Sequence, residues 1–385
     1  MLNIPKLRLS VTLDDRQNLI NNAYDHFISS KHFHSLDGLR CLSILAVIWH
    51  HAAGDKYPTN SIWQAGHHGV TLFFVISGFL ITTLLMREKK TVGDISLRQF
   101  YVRRTLRIFP LYYAVILLYV IVVYLVEGQS SYGVAFFNNL IYFFTYTSNY
   151  FVALNGDRVI FYFAWSLAAE EQFYMLWPTI EKWLNEQASI LVALCLILMA
   201  LVTKNVDLLI LHDSLIYLLI DNVAIPICIG VLLAHAMNHR TTFTLMYALI
   251  SHRFSAPLFA MLIYITLTQS MIPLLLTYIV MALLIASSVV TKQSIFYAVL
   301  NSRLAIEVGK VSYGMYLFHM LALNALRRVL PISDDFSLLF EAILFFTTCV
   351  LTFAIAKISF HYFERYFMNL KKHFHVRRPD APQIS

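Results

Sequence analysis

Charge is what this chain is short of. Asp, Glu, Lys and Arg make up only 13% of its 385 residues, against 58% hydrophobic, and the mean hydropathy is +0.64. A soluble globule needs a charged surface. That shortage, with apolar stretches of near-spanning length spread along the chain, identifies an integral membrane protein and leaves no room for a separate soluble domain. Cysteine is scarce as well: Cys41, Cys195, Cys228 and Cys349 lie far apart in apolar segments, which excludes metal or redox spacings and leaves them as packing residues. No GxSxG elbow, Walker loop or GxGxxG is present, so a serine hydrolase, an ATPase or a dinucleotide enzyme has no support. The 15 histidines include no HExxH and no paired Cys/His spacing, and no metal is expected. Internal repeats are missing too, which argues against an inverted-repeat transporter. Residues 1–35 hold no apolar h-region and no small-residue cleavage site, so the first apolar segment is expected to be retained.

What is there begins with basic residues. The formal charge of +7 could suit nucleic acid, but these side chains cluster beside apolar segments, where membrane orientation accounts for them better. Candidate spans run over 36–54, 68–87, 106–126, 160–183, 188–203, 214–237, 255–269, 273–291, 303–323 and 336–358. Lys and Arg dominate residues 87–107, the tail KKHFHVRR at 371–378 is basic, and the 238–253 loop agrees, so all three are assigned to the cytoplasm. Two cytoplasmic termini require an even number of spans. The stretch 133–149, rich in Asn and Thr, is therefore read as interfacial or re-entrant, which leaves an all-α bundle of ten spans. The expected division is a cytoplasmic segment at 1–35, a membrane domain at 36–365 and a basic cytoplasmic tail at 366–385.

Within that bundle a few polar residues stand out because they are costly there. A charge at membrane depth costs about 2.5–3.5 kcal/mol even on a lenient scale, so it usually marks a partner, a wet cavity or a pathway. The run LDGLRCLSILAVIWHHA, 36–52, carries Asp37, Arg40, His50 and His51. At roughly 100° per residue, Arg40 and His51 fall about 20° apart in projection and roughly 16 Å apart along the axis, with His50 about 80° off that line. FYVRRTLRIFPLYY, 100–113, puts Arg104 and Arg107 on one face, suited to phosphate or serving only as positive-inside anchors. AWSLAAEEQFYMLWP, 164–178, presents Ser166, Glu170 and Tyr174 as one polar stripe. Glu170 is expected at a depth where it can meet His51, either orienting a general base or forming a structural ion pair or proton-relay pair. VGKVSYGMYLFHM, 308–320, adds Ser312, Tyr313, Tyr316 and His319; a lone histidine there is more often a hydrogen-bonded core residue than a catalyst. Ser77 and Gly78 in GVTLFFVISGFLITTLL read as close helix packing.

Taken in order, these five stretches, with FERYF at 363–367, resemble the acyltransferase-3 family, the bacterial O-antigen and exopolysaccharide O-acetylases. Phe318 stands where Trp is common and Tyr366 where Pro often follows the Glu-Arg pair. Some members carry an appended extracellular esterase-like domain, and the expectation here is of the membrane domain without it. The resemblance implies a multi-pass protein of the bacterial inner membrane. It would transfer an acyl group, usually acetyl from cytosolic acetyl-CoA, to a hydroxyl of a cell-surface glycan or lipid-linked glycan. Carried onto this sequence, Arg40 and His51 fill the family's first motif, Arg104 and Arg107 its Arg-x-x-Arg motif and Glu170 the first Glu of its WSLxxE motif. Joined with the reading of the residues, this makes His51 and Glu170 the expected catalytic pair and Arg40, Arg104 and Arg107 the donor-binding residues, with Asp37, Ser166, Tyr174, Tyr313 and His319 as supporting polar groups. Acyl-CoA enters as substrate, no cofactor is held permanently, membrane lipid surrounds the bundle, and nucleic acid is not a partner. The competing class is a transporter or glycan flippase using the same intramembrane ions.

Overall fold

In the computed structural model the described residues are 13–374, apart from 31, 54–56, 59–60, 153–158, 206–223, 270 and 331–337. The start of the 214–237 candidate span and the end of the basic tail lie outside them. Among the described residues every regular element is helical. The helices are α1 Leu13–Ser29, α2 His34–Ala52, α3 His68–Val92, α4 Leu97–Glu127, α5 Ser131–Asn138, α6 Leu140–Phe144, α7 Ser148–Phe151, α8 Ala164–Trp183 and α9 Glu186–Asn205. They continue as α10 Ile225–Asn238, α11 Arg240–Ile250, α12 Ser255–Thr268, α13 Leu274–Val290, α14 Ile295–Leu300, α15 Arg303–Lys310, α16 Ser312–Val329, α17 Leu338–Ser359 and α18 Arg365–Leu370.

Length and apolarity alone qualify four described helical stretches to cross a membrane: Ala65–Val92, Leu97–Glu127, Glu186–Thr203 and Leu338–Leu370. A fifth arises if α11 and α12, bent by 81°, count as one. The difference from ten has a physical source. Asp37, Arg40 and the two histidines dilute α2, and Glu170, Glu171, Glu181 and Lys182 dilute α8. The expected 303–323 span is broken at Val311 into α15 and α16. The 133–149 stretch is three short helices rather than one rod. Tyr112 OH and Tyr113 OH on α4 donate to the Phe143 and Phe144 carbonyls at 2.8 and 3.1 Å. Gln172 on α8 donates to the Tyr146 carbonyl at 2.8 Å. Its backbone groups at the breaks are thus satisfied by protein.

Close helix packing sets the frame. α3 and α10 make the most extensive helix pair, and Gly78 and Gly230 lie on it. A Cβ on Gly78 would sit 2.0 Å from the Ile227 carbonyl oxygen, and one on Gly230 2.2 Å from that of Val75, so only glycine allows this approach. α3 ends at Gly93, whose φ of 86° lies in the left-handed region and whose N–H caps the Lys89 carbonyl. Lys89 Nζ in turn donates to the Glu181 and Leu184 carbonyls at the end of α8, at 2.7 and 2.9 Å. Two large apolar cores result. One gathers Phe27, Phe33, Phe79 and Phe243 around α1, α3, α10 and α11; the other gathers Ile44, Tyr112, Phe163 and Leu317 around α2, α4, α8 and α16. α2 contributes to both, and polar side chains collect along it.

Candidate active site

Two cavities open beside α2. The larger, about 490 Å³, is lined by Asp37 and Arg40 of α2, Ser77 of α3, Arg104 and Arg107 of α4, Ser166, Glu170 and Tyr174 of α8, and Tyr313 of α16. Its lining follows α3 from Val70 to Glu88, a length of roughly 27 Å at 1.5 Å per residue. The smaller, about 240 Å³, is lined by His51, Tyr119, Tyr162, Met320, Asn324 and Arg327 among others.

The larger cavity uses the helical spacings read from the sequence. Ser166, Glu170 and Tyr174 all face it, one turn apart. The Glu170 carboxylate accepts from Ser77 Oγ and from Tyr174 OH, and Arg104 Nη2 lies 3.8 Å from it. The Arg104 guanidinium also rests 3.5 Å from the centroid of the Tyr174 ring, a cation–π contact. Ser77, read as a packing residue, thus also binds Glu170. Asp37 is held by His32 Nε2 at 2.9 Å and Arg40 Nη1 at 3.4 Å. Tyr313 OH donates to the Ile108 carbonyl at 3.1 Å. Glu171, which the sequence reading passed over for Glu170, is buried and lines the same cavity. His32, His34 and Asp37 bring ligand atoms within 4.8 Å of one another, the one such group among the described residues, yet Arg40 beside the same carboxylate opposes a cation.

The smaller pocket is built on the C-terminal turn of α2. His51 Nδ1 lies 3.1 Å from Tyr162 OH, and Arg327 Nη2 donates to the His51 and Ala52 carbonyls at 2.8 and 3.2 Å. Tyr162 follows Phe161, whose φ of 69° costs a non-glycine residue about 1–3 kcal/mol. Its ring is locked against Tyr119, Phe143 and Phe163, which keeps the backbone in that state. His50 turns away, with Nδ1 3.0 Å from the Gln64 carbonyl.

One layer of side chains separates the cavities. Tyr316, which lines the larger, meets Ser166 Oγ at 2.6 Å and donates to the Phe163 carbonyl at 3.0 Å. His319, one turn on, is fully buried with its ring 5.1 Å from that of His51. Its Nδ1 faces the Tyr316 carbonyl, which can only accept, so Nδ1 carries the proton. Nε2 is then a lone pair, and it is buried without a hydrogen-bond partner. The expected meeting of Glu170 with His51 is not what the helices bring about. Ala164 starts α8 near the level of Tyr162, and Glu170 lies roughly 9 Å further along the axis, in the other cavity. Tyr162 and Arg327 stand at His51 instead. Neither was singled out from the sequence, and no spacing signal points to them.

A membrane-type helical bundle with an interior polar site is the class this fold and site define. The chain belongs to the acyltransferase-3 family, whose model, an acyltransferase domain, matches residues 33–357. Among curated relatives it is similar to the peptidoglycan O-acetyltransferase OatA of Listeria monocytogenes, with 35% identity over 159 residues, 39% of this chain and 24% of that protein. A putative O-acetyltransferase of Staphylococcus aureus, SACOL0978, is 35% identical over 153 residues, 38% of this chain and 24% of the relative. The putative peptidoglycan O-acetyltransferase YrhL of Bacillus subtilis is 34% identical over 152 residues, 37% and 23% respectively. The aligned stretch therefore spans about a quarter of the length of these relatives. No solved structure matches the chain.

Proposed function

We propose that this enzyme moves an acetyl group from cytosolic acetyl-CoA to a hydroxyl of a cell-surface glycan, in the bacterial inner membrane, through a ten-span bundle with both termini cytoplasmic. The relatives named for peptidoglycan favour an acceptor of that kind. The observation that carries the reading is the pair of cavities divided by a single layer, one basic and one containing His51.

Arg104, Arg107 and Arg40 hold the donor's phosphates in the large cavity, where guanidinium forks suit phosphate oxygens. Glu170, with Ser77 and Tyr174, positions Arg104 for that task. The thioester lies toward Ser166 and Tyr316, and their layer swings aside to admit it. From the far side the glycan hydroxyl enters beside His51. When His51 Nδ1–H donates to Tyr162, Nε2 is left to take the hydroxyl proton as the oxygen attacks the thioester carbonyl. The C–O bond forms, the C–S bond breaks, and the released thiolate takes up the proton. Transfer is direct, with no acyl-enzyme.

Purified protein given acetyl-CoA and a glycan fragment should form one O-acetyl ester per thiol released, read by mass spectrometry and a thiol assay. Slow hydrolysis of acetyl-CoA without acceptor is expected too. Movement of glycan with no thiol release would point to a transporter and sink the proposal.

A further inference from the structure

Most cations around the large cavity already have an anion. Arg40 faces Asp37, Arg104 faces Glu170, Arg103 lies 3.3 Å from Glu88, and Lys310 bonds Glu307 at 3.0 Å. Arg107 and Lys371 do not: among the described residues neither makes a hydrogen bond or an ion pair, and both line this cavity. Lys371 lies outside the matched family region and outside every stretch singled out for donor binding.

The chain reaches that position by a specific route. After α17 the helix widens into a π turn over Phe360–Glu364, then continues as α18 and a final 3-10 turn, Lys371–Phe374. A π turn inserts an extra residue and redirects the helix, a device found often at functional sites. This C-terminal strap lays Phe360, Met368 and Lys371 along the cavity wall. Arg103 Nη1 ties it to α4 by donating to the Phe374 carbonyl at 2.9 Å. Glu364, the strap's own carboxylate, accepts from Ser359 Oγ at 3.3 Å and makes no ion pair with either cation, though its field reaches Arg107. Two cations from separate elements facing one cavity, neither held in a hydrogen bond or ion pair among the described residues, form a site for an anion that arrives with the ligand.

We infer that Lys371, carried in by the C-terminal strap, completes with Arg107 a binding site for a phosphate at the nucleotide end of the donor. This rests on the acyl-CoA reading above. Arg103, which holds the strap at Phe374, pairs with Glu88, and Glu88 lies roughly 16 Å along α3 from the Ser77 that meets Glu170, so the nucleotide end stays at the strap while the thioester reaches inward. Burial, then Arg107, Arg104 and Arg103, push the Lys371 ammonium down to about 8, the mark of a cation held among cations until an anion joins them.

The test is calorimetric binding to the purified full-length protein of coenzyme A, of dephospho-coenzyme A and of pantetheine, which has no phosphate. Lys371→Ala should weaken coenzyme A about tenfold or more, the effect of one charge-assisted contact. Lys371→Arg should restore most of it, and pantetheine should bind all three proteins alike. A penalty absent with dephospho-coenzyme A identifies the 3′-phosphate; one that persists identifies the diphosphate. Equal binding of coenzyme A by wild type and Lys371→Ala overturns the site while leaving the donor reading intact, and so does a parallel loss of pantetheine. Wild type that binds no coenzyme A overturns both.

Discussion

Replacing Glu170 by Gln separates the two roles open to this carboxylate. The amide keeps an oxygen that accepts from Ser77 and Tyr174, and it removes the charge opposite Arg104. At 3.8 Å two unit charges attract by about 1 kcal/mol in water and about 4 kcal/mol at an effective dielectric of 20. Both side chains are 21% exposed, so solvent screening pulls the value toward the lower figure, and the cation–π contact with Tyr174 survives the change. A net loss of about 1–2 kcal/mol follows, read as a roughly 5–30-fold rise in the donor KM. A double-mutant cycle locates the effect. Coupling between Glu170→Gln and Arg104→Met should approach that whole amount, whereas coupling between Glu170→Gln and Tyr162→Phe should stay below about 0.5 kcal/mol, because the two side chains line different cavities and do not touch. The assay is kcat/KM for acetyl-CoA at saturating acceptor. Coupling to Tyr162 above about 1 kcal/mol would refute the separation and return Glu170 to His51.

Three further outcomes are expected. His51→Ala should lower transfer by about 10²–10⁴-fold with the melting temperature in detergent unchanged; near-normal turnover would remove His51 as the base. Gly230→Ala must push α10 away from the Val75 carbonyl and should cost about 1–3 kcal/mol of stability, seen as a lower midpoint of thermal unfolding, while an unshifted midpoint would show the helices are not in that contact. For pH, Lys371 is charged below its value of about 8 and neutral above it, so the donor KM should climb as pH rises through 8 to 9. Lys371→Arg should flatten that climb, and a profile identical in the two proteins would exclude Lys371 as its source.

Much of the site was legible because helical spacing is a local property. Ser166, Glu170 and Tyr174 share a face whatever packs against them, as do Arg104 and Arg107, and the structure turns both sets to one cavity. The charges that marked α2 and α8 as unusual are also what keep those helices out of a count by length and apolarity, which is why that count and the sequence reading differ. The pairing of Glu170 with His51 depended on something else, the relative depth of two helices, and no periodicity carries that.

Apolar run lengths and the cost of burying charge, both written in the chain, settled that it is helical and membrane-bound and drew attention to His51, Glu170 and the arginines. Tertiary packing alone chose the partners. Tyr162 meets His51 across 111 positions of chain, Ser77 meets Glu170 across 93, and Phe374 reaches Arg103 across 271. Contacts between segments that distant arise from how far each helix slides along its neighbours, a quantity set by the sum of all the side chains between them. No single motif encodes it.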